Sequence, residues 1–406
     1  MEAVILIIGL VAGLYMAWNI GANDVANGMA SPVGAKAITL KQAVYIGAIL
    51  DFVGATLIGS HVSDTIRKGI VDSASISDPR VVSLGLLSAI LAASLWVFLS
   101  TWRQIPVSTT HAIVGAMVGF GLMAGGVSVI RWGRLVGIVL SWIVSPVFAC
   151  LLGFLVFQTI RGRILSGKDV LGKALRWSLV FGGLTFTIIL LSLFLETPFG
   201  SRLGLSTAER VVLALLSAGI LTAAGYLWLR RIIARHKESG VEEVFRRLQV
   251  LTACYVALAH GANDVANAVG PLAGIYIIYV THAVSPQVQV PTFLLALGGA
   301  AIALGAVTWG YRVIETLGHK ITELTNTRGF SVDFGVATSV LVASKLGLPV
   351  STTHAAVGAV VGVGLARGIA AVDFGLVLKI FLYWMVTLPV SAISCMIFFK
   401  GLTAIF

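Results

Sequence analysis

The sequence predicts an all-α integral membrane protein of about twelve membrane helices, including discontinuous or re-entrant half-helices, built as two inverted repeats. Three observations predict it. Of 406 residues, 58% are hydrophobic and 11% are charged, with a mean hydropathy of +0.98; a soluble domain carries about 25% charged residues, so a water-soluble globule is excluded. Apolar runs of membrane-spanning length recur from end to end, too many and too long for a signal peptide. Two different heptapeptides each occur twice, in the same order.

In chain order, the apolar runs between loop signals lie near 3–22, 40–60, 81–101, 106–124, 131–159, 177–195, 210–229, 249–270, 291–313, 333–347, 349–367 and 373–399. In a bilayer such segments satisfy their backbone polar groups as helices. The net charge of +11 does not indicate nucleic-acid binding, because 11 of the 28 Lys and Arg fall in two short stretches. These are 161–176 (Arg161, Arg163, Lys168, Lys173, Arg176) and 230–247 (Arg230, Arg231, Arg235, Lys237, Arg246, Arg247). They flank the pair 177–195 and 210–229, which reads as a hairpin with both ends cytoplasmic and the loop 196–209 outside. Cys150, Cys254 and Cys395 lie in apolar segments without metal-ligand or redox spacing and read as small apolar residues.

Gly21-Ala22-Asn23-Asp24-Val25-Ala26-Asn27 returns unchanged at Gly261–Asn267, an offset of 240. Pro106-Val107-Ser108-Thr109-Thr110-His111-Ala112 returns at Pro349–Ala355, an offset of 243. Near-equal offsets imply duplication, with a first repeat at 1–160, a second at 248–406, and basic loops with a central hairpin at 161–247. Five segments per repeat place its two ends on opposite sides, so the repeats are inverted and both termini lie outside. That parity fails if 106–124 is re-entrant, which the sequence leaves open. Inverted repeats around a midplane site are the architecture of secondary transporters.

Asp24 and Asp264 lie at the ends of apolar segments, where an uncompensated carboxylate costs several kcal/mol. Asn23 and Asn27, and Asn263 and Asn267, stand beside them, and Gly21 or Gly261 would permit a helix break that frees backbone carbonyls. This is a hard-cation site suited to sodium. In the second motif, proline followed by Ser108, Thr109 and Thr110, or by Ser351, Thr352 and Thr353, reads as a helix N-terminus aimed into the membrane, an anion site suited to phosphate. The following Gly115-x-x-x-Gly119 and Gly358-x-x-x-Gly362 predict close helix packing. His111 and His354 read as helix-packing hydrogen-bond donors. An anion about 4 Å from a carboxylate is repelled by roughly 4 kcal/mol at an effective dielectric near 20, so cations must intervene.

These motifs resemble the signatures of the inorganic phosphate transporter (PiT) family, which includes the sodium-dependent phosphate symporters. The similarity extends through Ile49–Gly54, Asp64–Ile70 and Trp309–Thr316 and covers most of both repeats. It implies a plasma-membrane phosphate importer, a homodimer with both termini outside, with Asp24 and Asp264 as essential carboxylates and Ser108–Thr110 and Ser351–Thr353 facing phosphate. Asp51 and Asp333 stand where relatives often have Glu, and form a further candidate cation site. The transported sodium ions are the only cofactor expected. A proton-coupled or metal-phosphate symporter remains an alternative, and an anion channel a weaker one. Neither motif pairs a nucleophile with an adjacent base, so no enzyme is expected.

Overall fold

The computed structural model describes residues 2–76, 78–105, 107–197, 200, 203–235, 240–285, 288–317 and 325–406; Pro106 and Lys237 lie outside them. The described residues form fourteen α-helices and no strand: α1 Glu2–Gly34, α2 Leu40–Ile58, α3 Ser60–Gly69, α4 Pro79–Trp102, α5 Thr109–Gly125, α6 Trp132–Thr159, α7 Val170–Glu196, α8 Thr207–Arg235, α9 Val241–Thr281, α10 Thr292–Trp309, α11 Tyr311–Leu317, α12 Asn326–Lys345, α13 Thr352–Arg367 and α14 Phe374–Ile405. Each of the twelve expected segments falls on one of them. Ten of the described helices are long and apolar enough to cross a bilayer, rather than twelve. The shortfall lies at 333–347 and 349–367: α12 is rich in polar residues, and α13, with 16 residues, spans only about 24 Å of a core about 30 Å thick.

One expectation is corrected. The backbone does not break at Gly21 or Gly261: α1 runs through Gly21–Asn27 to Gly34, and α9 runs through Gly261–Asn267 to Thr281. The glycines serve close packing instead. A Cβ on Gly21 would lie 1.8 Å from the Ile302 carbonyl oxygen of α10, and one on Gly261 would lie 2.1 Å from that of Asp51 on α2. Breaks occur on the neighbouring helices, between α2 and α3 at Gly59 and between α10 and α11 at Gly310.

Helix α9 is the centre of the molecule, packing on α1, α2, α3, α4 and α12. Two helical hairpins, α4–α5 and α12–α13, bring the tips Val107–His111 and Val350–His354 together inside the protein. Each second arm runs alongside a long helix in the same direction. His111, Gly115 and Gly119 of α5 meet Trp384, Leu388 and Ala392 of α14; His354, Gly358 and Gly362 of α13 meet Trp142, Pro146 and Cys150 of α6. Trp384 and Trp142 each lie three turns into their helices, so both hairpins turn within the molecule rather than at its surface. The glycine spacing does what the sequence predicts: at all four positions a Cβ would fall within 2.5 Å of a neighbouring backbone oxygen.

Candidate functional site

Helices α1 and α9 carry the Asn/Asp motif, and the hairpin tips carry the hydroxyls. The site is where they meet, and nearly every contact is made twice. The Thr109 hydroxyl donates to Asp24 Oδ2 at 2.8 Å, and the Thr352 hydroxyl donates to Asp264 Oδ2 at 2.9 Å. Asn27 Nδ2 donates across to Thr352 and Thr353 at 3.1 and 3.0 Å, while Asn267 Nδ2 donates to Thr109 and Thr110 at 3.2 Å each. Each tip also holds the other: Thr110 donates to the Val350 carbonyl at 3.0 Å and Thr353 to that of Val107 at 3.4 Å. The duplicated motifs therefore form one interlocked cluster.

Asn23 and Asn263 act one shell out. Asn23 Nδ2 donates to Thr101 at 2.8 Å, and Asn263 Nδ2 donates to Ser344 at 3.0 Å, tying the motif helices to the first arm of each hairpin. Their side-chain oxygens are free. Among the described residues, Asn23 Oδ1, Asn263 Oδ1, Asn267 Oδ1 and Asp264 Oδ1 are buried acceptors without a donor. Buried polar atoms without partners are rare, and carboxylate and amide oxygens are the donor types of a hard cation.

Ser108 and Ser351 differ from the threonines. Each side-chain oxygen accepts a backbone N–H of its own helix, from His111 at 3.1 Å and from His354 at 3.2 Å, as an N-cap. His111 and His354 pack as expected, Nδ1 against the carbonyls of Trp384 and Trp142 at 3.4 and 3.3 Å. Their rings meet edge to face at 4.5 Å behind the hairpin tips.

Sequence reasoning missed His260. It lies four residues before Asp264 on α9, the spacing that puts two side chains on one helix face, and that was the available signal. Its Nδ1 bonds Asp51 Oδ1 at 2.8 Å, and its Nε2 lies 3.1 Å from Asp264 Oδ2 without hydrogen-bond alignment. Ligand atoms of Asp24, His260 and Asp264 all lie within 4.8 Å of one another, with all three residues buried. Two carboxylates this close repel by about 3–4 kcal/mol at an effective dielectric near 20, and a cation or a shared proton relieves it.

Asp51 and Asp333 do not share a site. Asp51 belongs to the central cluster through His260, whereas Asp333 on α12 lies beside Ser31 and Gln249, with Gln249 Nε2 bonded to Ser31 at 3.0 Å. His260 and Gln249 are eleven residues apart on α9, or about 16 Å along its axis. Among the described residues, no donor meets Gln249 Oε1 or either Asp333 carboxylate oxygen with full hydrogen-bond geometry.

Known proteins resemble this chain along its length. The sequence profile of the phosphate transporter family matches residues 20–395. A protein of Pyrococcus furiosus named as a phosphate permease is 47% identical over 98% of this chain and 96% of its own length. The chloroplastic inorganic phosphate transporter 2-1 of Arabidopsis thaliana is 41% identical over 96% of this chain and 70% of its own. A solved structure entitled "The sodium-dependent phosphate transporter" superimposes with a TM-score of 0.93 at 43% identity, covering 99% of this chain and 100% of that one. With two matched motif pairs folded into a single buried cluster, and these similarities running the length of the sequence, the chain belongs to the phosphate transporter family.

Proposed function

We propose that the chain is a secondary active transporter that imports inorganic phosphate coupled to sodium by alternating access. The observation that carries this reading is the convergence of Asp24 and Asp264, their ligand atoms within 4.8 Å, at the facing N-termini of α5 and α13. Helix N-termini with hydroxyls attract phosphate, and two buried carboxylates repel it. Sodium held by Asn23, Asp24, Asn27, Asn263, Asp264 and Asn267 would reverse the sign of the carboxylate field. Phosphate would then be held by Thr109, Thr110, Thr352 and Thr353, with Ser108 and Ser351 fixing the helix ends. Asp51 and Asp333 would serve separate cation sites.

In this reading the repeats 1–160 and 248–406 are inverted and joined by 161–247: a hairpin that turns inside the molecule removes both of its arms from the crossing count, so the number of crossings per repeat stays odd, and the repeats move against one another around the shared cluster. The basic loops orient the protein in the cell membrane with both termini outside, and the working unit is a homodimer. The similarity to phosphate transporters along the whole chain supports transport rather than enzymatic turnover.

A specific observation favours proton coupling as the second reading. His260 stands between Asp51 and Asp264, and a protonated imidazole there would supply a positive charge without a metal ion. Phosphate uptake into proteoliposomes, with sodium and proton gradients imposed one at a time, tests both. Uptake driven by sodium at equal pH supports the first reading, uptake driven by a pH gradient without sodium supports the second, and uptake indifferent to both excludes coupling.

A further inference from the structure

A feature outside the phosphate cluster lies where the central hairpin α7–α8 meets the first turns of α9. There a crevice of about 250 Å³ opens to the surface between Gly182, Phe186, Gly225, Trp228, Leu248 and Arg247. Its walls are mainly apolar: the hydroxyls of Ser178 and Thr222 are bonded to the carbonyls of Leu175 and Ala218 on their own helices, and Tyr226 and Arg247 are the other polar side chains that line it. The space beside its glycines is unfilled. A Cβ on Gly182, which is itself buried, or on Gly225 would meet no atom within 4 Å. At Gly21, Gly261, Gly358 and Gly362, by contrast, a neighbouring carbonyl oxygen occupies that position.

The mouth of the crevice is different in character. Arg230 and Arg231 are exposed within one turn beyond Trp228 and Arg235 about two turns beyond it, and among the described residues none has a carboxylate within ion-pair distance. Arg247 lies 5.8 Å above the Trp228 ring and shares Glu243 with Arg246, at 2.9 and 3.1 Å, so that trio keeps a net positive charge. Trp228 is 52% exposed beside the similarly exposed Leu227, the placement of an aromatic side chain at the edge of the hydrocarbon region. An apolar slot bordered by exposed arginines, three of them without a carboxylate partner among the described residues, fits an acyl chain with an anionic headgroup at that depth.

We propose that this crevice binds an anionic phospholipid, one acyl chain lying along Gly182 and Gly225 and the phosphate of the headgroup meeting Arg230, Arg231 and Arg247. The lipid would fill the joint between the central hairpin and α9, the helix that carries Asp264, independently of which cation drives transport. The test is native mass spectrometry of the full chain, purified in detergent and equilibrated with equal amounts of phosphatidylglycerol and phosphatidylcholine. Phosphatidylglycerol should be retained over phosphatidylcholine by about fivefold or more for each basic contact. Gly225→Leu or Gly182→Leu, each filling open space, should reduce total lipid retention, whereas Gly219→Leu, outside the crevice and equally free of neighbours, should not. The double variant Arg230→Gln/Arg231→Gln should retain lipid but lose most of the preference for phosphatidylglycerol, keeping only the part that Arg247 supplies. Equal retention of the two lipids by the wild type, or unchanged retention by both crevice-filling variants in monodisperse form, would overturn the proposal. Having two filling variants on different helices keeps the test decisive if one does not fold.

Discussion

Asp24 and Asp264 were legible as candidate site residues because a carboxylate in an apolar segment is costly, and finding it twice in the same heptapeptide argues against accident. What the residue types could not give was the pairing across repeats, in which each asparagine serves the threonines of the opposite hairpin. His260 went unread for a related reason: it occurs once, Ile20 taking its place in the first motif, and a search for duplication passes over single residues. Asp24→Asn and Asp264→Asn should each abolish cation-driven phosphate uptake while the protein still inserts and purifies as a folded species; full sodium-dependent uptake by either variant removes the cation assignment. Among the hydroxyls, Thr109→Val and Thr352→Val should each weaken phosphate binding by on the order of 1–2 kcal/mol, measured by equilibrium titration. Ser108→Ala should act mainly on stability, by about 1 kcal/mol, because its oxygen caps α5.

At the scale of elements, the apolar runs and Gly-x-x-x-Gly spacings located the helices and their close faces, since both depend on local pattern. The unbroken course of α1 and α9 was not legible. Glycine is compatible with a break and with close approach, and only the neighbouring helix decides between them. Here the carbonyls of Ile302 and Asp51 occupy the space a side chain would need. Gly261→Ala should therefore destabilise the protein by about 1–3 kcal/mol, the usual cost of overpacking, and lower its thermal midpoint in detergent. Gly219→Ala, where nothing lies within 4 Å of the new carbon, should leave the midpoint unchanged or raise it slightly. Equal behaviour of the two variants would contradict the close-approach role of Gly261. The inward turn of the hairpins was similarly undecidable from 106–124 alone, because it is set by docking against Trp384 and Trp142, distant in sequence.

For the whole molecule, duplication implied a single central site, and the interlocked tips give that site two equivalent halves around one pair of carboxylates. This arrangement bears on selectivity as well as coupling. At neutral pH phosphate carries a proton to donate and sulfate does not, so an acceptor oxygen of Asp24 or Asp264 would be left unpaired and repelling beside sulfate. Competition against labelled phosphate should show arsenate as an effective inhibitor and sulfate weaker by a hundredfold or more; equal inhibition by sulfate would mean that the site reads only charge and size. The central claim is that cations make the carboxylate cluster receptive to an anion, and linkage requires each ligand to raise the affinity of the other by the same factor. The most direct test is equilibrium phosphate binding to the purified protein over a series of sodium concentrations at constant ionic strength and pH. The account predicts phosphate affinity that rises steeply with sodium, with a reciprocal rise in sodium affinity on adding phosphate, and loss of both in Asp24→Asn; phosphate affinity independent of sodium would contradict it.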